Sequence, residues 1–122
     1  MAWLILMIVK RGEIYRVKFN PTRGSEIRKI RPALIIQNDT GNEFSPLTIV
    51  APISSIKKHT KKYPTDVWIT PGESGLACDS RVLLSQIRTV DKDERLLNKI
   101  GKLSSKKMME VDQAIRISLA LD

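Results

Sequence analysis

The chain has 122 residues, which suffices for one domain with a substantial core and is too short for two. Lysine and arginine number 21 against 13 acidic residues, so the net charge is +8 and the pI is near 9.9. This surplus indicates a polyanionic partner, either nucleic acid or an acidic protein. The single cysteine, Cys78, excludes an internal disulfide, and no Cys/His group has metal-ligand spacing. We therefore predict a cytoplasmic protein with no metal or other cofactor, in which Cys78 is a small core residue.

The first nine residues are almost wholly apolar. A membrane-spanning helix needs about 20 residues, and a secretion signal has basic residues before its apolar run, so the segment fits neither. We interpret residues 1–122 as a single domain in which residues 1–6 form an N-terminal extension or extra strand. Met7 is an alternative start, and no membrane association is expected.

Strict alternation in Ile14–Phe19 predicts a half-buried strand with Tyr15, Val17 and Phe19 on one face. A loop rich in turn-forming residues follows at 20–26 and leads into a basic stretch.

The step from Arg31 to Pro32 introduces the next strand. Proline biases the residue before it towards extended backbone, so Arg31 is expected to be extended. Four apolar residues, Ala33–Ile36, then precede an Asn-Asp turn signal at Asn38, which is typical of a strand buried on both faces. Arg31 is thus predicted to be a cation held at the rim of the core.

The chain then alternates between predicted strands and turns. We predict strands at 47–51, 66–70 and 81–90, the last being one strand or two joined at a bulge, with loops at 38–46 and 57–62 and a turn at 71–72. Pro52 is expected to end the pairing of its strand or to mark an edge or bulge.

The C-terminal part changes character at Asp91, which can cap a short helical turn through Leu97. A last strand is predicted at residues 99–103. Ser104 is then an N-cap for a helix to Leu119, with Met108, Val111, Ile115 and Leu119 on its core-facing side. We therefore predict a mainly β fold with a C-terminal helix, in which a strongly bent antiparallel sheet forms a small SH3-like or OB-like barrel.

The candidate chemistry centres on Arg31. The chain has no glycine-rich phosphate loop, no acid pair at ligand spacing and only one histidine, which argues against metal-based and histidine-based nucleases. RNA, however, supplies its own 2′-OH nucleophile, and a fixed guanidinium can stabilise the charge that develops on the phosphate. The alternative for Arg31 is a strand-end ion pair with Asp39 or Asp79.

Five ordered motifs resemble the successive motifs of the MazF/PemK toxin family, and the resemblance extends from Met7 to the C-terminus. They are Arg11-Gly12-Glu13-Ile14-Tyr15, Gly24-Ser25-Glu26, the segment 31–39, Ala51-Pro52-Ile53-Ser54-Ser55 and Ser85-Gln86-Ile87-Arg88-Thr89.

The resemblance implies a homodimeric, metal-independent endoribonuclease of a toxin–antitoxin pair, with a MazF-like and CcdB-like SH3-type barrel. Such an enzyme cleaves single-stranded RNA, including mRNA, at short sequences and leaves 2′,3′-cyclic phosphate and 5′-OH ends. The acidic tail of the cognate antitoxin occupies the RNA sites along the dimer interface.

The resemblance also implies roles for individual residues. Arg31 matches the catalytic arginine, and Ser54 stands where the family usually has a catalytic threonine. Serine keeps the hydroxyl but lacks the β-methyl group that restricts χ1. The expected RNA-binding residues are Ser25, Glu26, Lys57, Tyr63 and Gln86. Lys57 begins the loop at 57–62, called the lysine loop here, in which His59 is expected to be an ordinary loop residue.

Two other classes of function are alternatives. A CcdB-like gyrase poison on the same barrel would act through its C-terminal helix and would need neither Arg31 nor Ser54. A non-catalytic RNA-binding module is the other alternative, although the chain has only six aromatic residues to stack on bases.

Overall fold

The computed structural model describes residues 8–19 and 30–122. Within these ranges the chain forms seven strands and four helices: β1 (Glu13–Lys18), β2 (Ile30–Ile35), α1 (Asp39–Phe44), β3 (Leu47–Ser55), β4 (Asp66–Ile69), α2 (Pro71–Ser74), β5 (Ser80–Leu83), β6 (Arg88–Asp91), α3 (Lys92–Arg95), β7 (Leu96–Lys102) and α4 (Ser105–Leu119). The interpretation of residues 1–6 and the predicted loop at 20–26 lie outside the described residues.

The strands form one antiparallel sheet in the order β4-β5-β3-β2-β1-β7, and β6 also pairs with β3. Among the described residues, the end strands β4 and β7 do not pair with each other, so the sheet is open there. The prediction of a mainly β fold with a bent antiparallel sheet and a C-terminal helix is confirmed.

The long strand β3 changes partner along its length. Leu47–Val50 pairs with β6, whereas Ile53–Ser55 pairs with β5. Pro52, which has no N–H group to donate, lies between these two segments and opposite Ala33 of β2. The strand therefore continues through the proline, and only the pairing with β6 ends before it.

Apolar residues cover both faces of the sheet. The helix-side core contains Leu34 and Ile36 of the β2 segment together with Val111 and Ala114 of α4. The opposite core contains Ala33 and Ile35, with Tyr15, Val17 and Phe19 of the β1 segment. The alternating side chains of one strand thus enter two cores, which confirms that the β2 segment is buried on both faces.

Two predicted non-helical segments contain short helices. Within 38–46, the Asn38 side chain accepts from the Gly41 N–H at 2.7 Å and caps α1, and the buried Asn42 side chain accepts from the Thr48 hydroxyl at 2.6 Å. The turn at Pro71-Gly72 is the start of α2, which has a reciprocal capping box between Thr70 and Glu73. These polar caps resemble turn signals in the sequence, which is why the helices were not predicted.

Three further expectations are corrected or refined. The segment 81–90 forms two strands, β5 and β6, separated by residues 84–87 instead of a bulge. Leu119 is 54% exposed, so the apolar face of α4 ends before it, and Cys78 is exposed instead of lying in the core. Cys78 is in the connection between α2 and β5, where no regular alternation sets the direction of side chains. None of the described helices is long and apolar enough to cross a bilayer.

The C-terminal helices match their predicted caps. The Asp91 side chain accepts from the Glu94 N–H and begins α3, and the Ser104 hydroxyl accepts from the Lys107 N–H and begins α4. The ion pair between Arg11 and Asp112, at 2.6 Å, ties α4 to the segment before β1. The helix is therefore fixed on one face of the sheet, and the opposite core lies on the other face.

Candidate functional site

Arg31 lies on β2 at the rim of the opposite core, as the Arg-Pro step predicts. It pairs in register with the buried Val17 of β1, and its own side chain is partly buried. Together with Gln86 and Arg88 it lines a cleft of about 320 Å³, whose other walls are Phe19, Pro52 and Ile87. The fold therefore brings Arg31 and Gln86, two predicted site residues, to one cleft.

Arg88 is a second cation in this cleft that the sequence analysis did not single out. It begins β6 opposite Val50, and its guanidinium carbon lies 5.0 Å from the centroid of the Phe19 ring. The ring orients the cation beside Arg31. The available sequence signal was its place in the motif 85–89, two residues before the buried Val90, but alternation alone does not show which cleft an exposed side chain will line.

Ser54 lies near the end of β3 and is partly buried. The last register pair between β2 and β3 joins Ala33 to Pro52, and Arg31 and Ser54 are each two residues beyond that pair. Because side chains alternate along a strand, Arg31 and Ser54 project on the same face of the sheet as Ala33 and Pro52. Among the described residues of β3, Pro52 lines the Arg31 cleft and Ser54 does not. Ser54 is the next residue of β3 on the same face, beyond Pro52.

The lysine loop follows β3 directly. A tight turn holds it, since the Lys57 N–H donates to the Thr60 hydroxyl at 2.8 Å and the Thr60 N–H donates to the Lys57 carbonyl at 3.0 Å. The Lys57 side chain is exposed, and the Lys62 ammonium lies 5.5 Å from the centroid of the Trp68 ring. The loop thus forms a basic edge next to the β3 end that carries Ser54.

Tyr63 belongs to a different cleft. It is 54% exposed and lines a groove of about 400 Å³ with residues of α4, among them Glu110 and Gln113. The structure therefore does not place Tyr63 with Arg31 and Gln86. Ser25 and Glu26 lie outside the described residues.

Of the two carboxylates suggested as alternative partners of Arg31, Asp39 is engaged elsewhere and Asp79 forms no ion pair with Arg31. Asp39 accepts from the Arg11 backbone N–H at 2.7 Å, and this hydrogen bond is the main reason why the pKa of Asp39 is below its usual range. In the described part of the chain, Arg31 forms no ion pair. Within residues 8–19 and 30–122, no acidic side chain neutralises its charge.

The chemistry that this arrangement supports is anion binding. A guanidinium presents planar donors that match two oxygens of a phosphate or of a carboxylate, and two guanidiniums beside the Gln86 amide can bind an anion such as a phosphodiester. Within residues 8–19 and 30–122, no group of three or more His, Cys, Asp or Glu side chains could hold a metal ion.

Comparisons with known proteins identify the family. Residues 10–119 match the model of the PemK-like, MazF-like toxins of type II toxin–antitoxin systems. The chain is 51% identical to endoribonuclease EndoA of Bacillus subtilis over 116 residues, which cover 94% of this chain and 97% of the relative. It is 49% identical to endoribonuclease MazF of Staphylococcus saprophyticus over 114 residues, 93% of each chain.

A solved structure supports the same fold. The chain resembles a mycobacterial endoribonuclease in complex with its cognate antitoxin, with a TM-score of 0.77 and 23% identity over 93% of this chain and 97% of the other. The chain therefore belongs to the PemK-like, MazF-like toxin family of type II toxin–antitoxin systems.

Proposed function

We propose that this chain cleaves single-stranded RNA at short sequences, without a metal ion, by attack of the RNA's own 2′-OH on the adjacent phosphate. The observation that carries the proposal is the basic cleft in which Arg31 meets Gln86 and Arg88. The broader assignment, that the chain is an endoribonuclease, rests on its two relatives of about 50% identity, which both carry that name.

In the proposed reaction the 2′-oxygen forms a bond to phosphorus and the bond from phosphorus to the 5′-oxygen breaks. The products are a 2′,3′-cyclic phosphate and a 5′-OH, and the proton lost by the 2′-OH is balanced by the one that the 5′-oxygen gains. Arg31 binds the non-bridging oxygens as negative charge builds on them, and preorganised donors of this kind contribute about 3 to 4 kcal/mol each. The Ser54 hydroxyl orients the reacting phosphate from the same face of the sheet.

The remaining predicted residues are assigned to RNA binding. Gln86 contacts the RNA at the Arg31 cleft, and Lys57 contacts phosphate from the lysine loop. Ser25 and Glu26 are proposed to line the groove that binds RNA, as the family resemblance implies. Tyr63 lies in the groove against α4 and not in the Arg31 cleft, and it is proposed to contact RNA beyond that cleft, as the family resemblance implies.

We further propose that the chain is a homodimer and that an antitoxin with an acidic tail inhibits it. The antitoxin complex of the mycobacterial structure supports this partner, and the net charge of +8 is complementary to an acidic tail. A cytoplasmic location follows from the proposed mRNA substrate and from the single cysteine, which cannot form an internal disulfide.

Digestion of a long RNA in EDTA, with both ends of every cut mapped, tests the proposal. We expect cuts at one short sequence that carry cyclic phosphate and 5′-OH ends, and no cut where the 2′-OH at that position is replaced by hydrogen. Arg31→Ala should abolish cleavage while the dimer persists in size-exclusion chromatography.

Three outcomes would contradict the proposal. Cleavage that required Mg²⁺ would exclude the metal-independent mechanism. Gyrase inhibition with intact RNA would indicate a protein-binding toxin. RNA retention without cleavage would indicate a binding module.

A further inference from the structure

A row of polar and aromatic side chains crosses three neighbouring strands at Ser54. Arg81 of β5 lies opposite Ser54 of β3, and Trp68 of β4 lies opposite Arg81. Residues directly opposite in antiparallel strands project on the same face, with Cβ atoms about 4.5 to 5.5 Å apart. A hydroxyl, a guanidinium and an indole therefore stand side by side.

The neighbouring row shows which face this is. Ile53, Val82 and Val67 are opposite one another on the same three strands, and all three are buried in the helix-side core. Because side chains alternate, the row with Arg81 projects away from α4. This is the face on which Arg31 and Ser54 project, so Arg81 belongs to the same surface as the proposed RNA site.

The environment of Arg81 holds its guanidinium in place without enclosing it. Its Nη1 donates to Asp66 Oδ2 at 3.3 Å, and the Asp66 side chain is only 3% exposed, whereas the Arg81 side chain is 25% exposed. Nη1 also lies 3.5 Å from the Lys61 carbonyl oxygen, to which it donates, and the Nε group is buried without a hydrogen-bond partner in the described part of the chain. In the same part of the chain, Nη2 forms no hydrogen bond and is left for a ligand.

We propose that Arg81 is a second phosphate-binding residue of the RNA site and contacts the phosphate next to the one that is cleaved. The inference rests on the proposed ribonuclease function and adds to it a residue that the motifs do not include. The buried Asp66 positions the guanidinium and is itself too enclosed to repel RNA. Lys62, above the Trp68 ring, adds a second positive charge at the outer end of the row.

Binding of an uncleavable RNA, with 2′-hydrogen at the cleavage position, tests the inference as a function of salt. The variant combines Arg81→Met with Asp66→Asn, so that no buried carboxylate is left unpaired. We expect affinity to fall about tenfold or more, as for a charged hydrogen bond, and the slope of log affinity against log salt to become shallower by about 0.7. Arg116→Met, an exposed arginine on α4 and therefore on the other side of the sheet, is the matched control and should change neither quantity.

Neutral methylphosphonates placed at one phosphate at a time locate the contact. The wild type should lose affinity at a phosphate beside the cleaved one, and the Arg81 variant should show no loss at that position. Asp66→Asn alone, which removes the competing negative charge but keeps an acceptor oxygen, should keep the wild-type salt slope and bind RNA two- to threefold more tightly. That variant provides a test even if the double variant does not fold.

The inference is overturned if the Arg81 variant keeps the slope and the methylphosphonate profile of the wild type, or if Asp66→Asn does not strengthen binding. These results would leave the proposed function intact as long as the wild type cuts RNA in EDTA. A wild type that neither binds nor cuts RNA would overturn both.

Discussion

At the scale of single residues, the surface opposite α4 combines three kinds of donor. Arg31 and Arg88 have planar guanidiniums that can bind two oxygens of one phosphate, and Gln86 adds an amide. Ser54 has only a hydroxyl, whose orientation depends on χ1. The proposed division of labour is therefore charge stabilisation by the arginines and orientation by the serine.

Substitution of Ser54 separates the presence of the hydroxyl from its orientation. Ser54→Ala should reduce kcat by about 10²- to 10³-fold, as for loss of one preorganised donor, and should leave RNA affinity nearly unchanged. Ser54→Thr keeps the hydroxyl and restricts χ1, so we expect a rate at or above that of the wild type. Single-turnover cleavage assays measure the cleavage rates of both variants. If Ser54→Ala cleaves at the wild-type rate, Ser54 has no part in the chemistry.

Asp39 provides a pH-dependent contribution to stability. Its pKa is lowered in the folded protein, mainly by the hydrogen bond from the Arg11 N–H, so its contribution is present above the unfolded pKa of about 3.9 and is lost as pH falls through the lower folded pKa. Asp39→Asn should be less stable than the wild type at pH 7, and the difference should shrink in acid. Urea unfolding between pH 7 and pH 3 measures it.

Glu43→Gln is the matched control for Asp39, because Glu43 is an exposed carboxylate on the same helix α1. Among the described residues it forms no hydrogen bond or ion pair. A difference between Asp39→Asn and wild type that stayed constant with pH would show that the carboxylate charge is not the cause.

At the scale of elements, α2 and β7 approach so closely that only glycine fits at two positions. A Cβ atom at Gly101 would overlap the Ser74 carbonyl oxygen, and one at Gly75, where φ is +84°, would lie 2.8 Å from the Ile100 carbonyl oxygen. The contact is between backbones, which cannot move aside as a flexible side chain would. It therefore ties the short helix after β4 to the end strand β7.

Gly101→Ala should lower the free energy of unfolding by about 1 to 3 kcal/mol, as for overpacking of a well-packed site. Gly72→Ala is the control in α2, the element that Gly101 contacts, because its added Cβ has no neighbour nearer than the Thr70 hydroxyl at 4.0 Å and its φ is not positive. We expect Gly72→Ala to be neutral or to stabilise by about 0.4 to 1 kcal/mol. Denaturant unfolding compares them, and equal effects of the two substitutions would contradict the close contact.

At the scale of the whole molecule, the excess of basic residues that gives the net charge of +8 predicts salt-dependent binding of RNA. If about four to six phosphates are neutralised at each site, log affinity for single-stranded RNA should fall with log salt at a slope of about −3 to −4. Titrations of the uncleavable RNA at several salt concentrations measure the slope. A slope near zero would mean that the basic surface does not bind the RNA backbone.

The sequence by itself determined the parts of this protein that depend on local periodicity. Two-residue alternation located β1, an unbroken apolar run predicted the two-faced burial of the β2 segment, and capping residues located α3 and α4. The Arg-Pro step placed Arg31 at the rim of the core. Ordered motifs led to the toxin family, which the comparisons confirm.

Only the tertiary structure decided which distant residues share a surface. Arg88 joins Arg31 because β3 pairs with both β2 and β6, and Arg81 stands beside Ser54 because the other end of β3 pairs with β5. Tyr63 enters a different groove for a similar reason, since α4 packs near β4. Alternation fixes the face of a side chain on its own strand, but the register between strands far apart in the chain depends on the packing of both cores together.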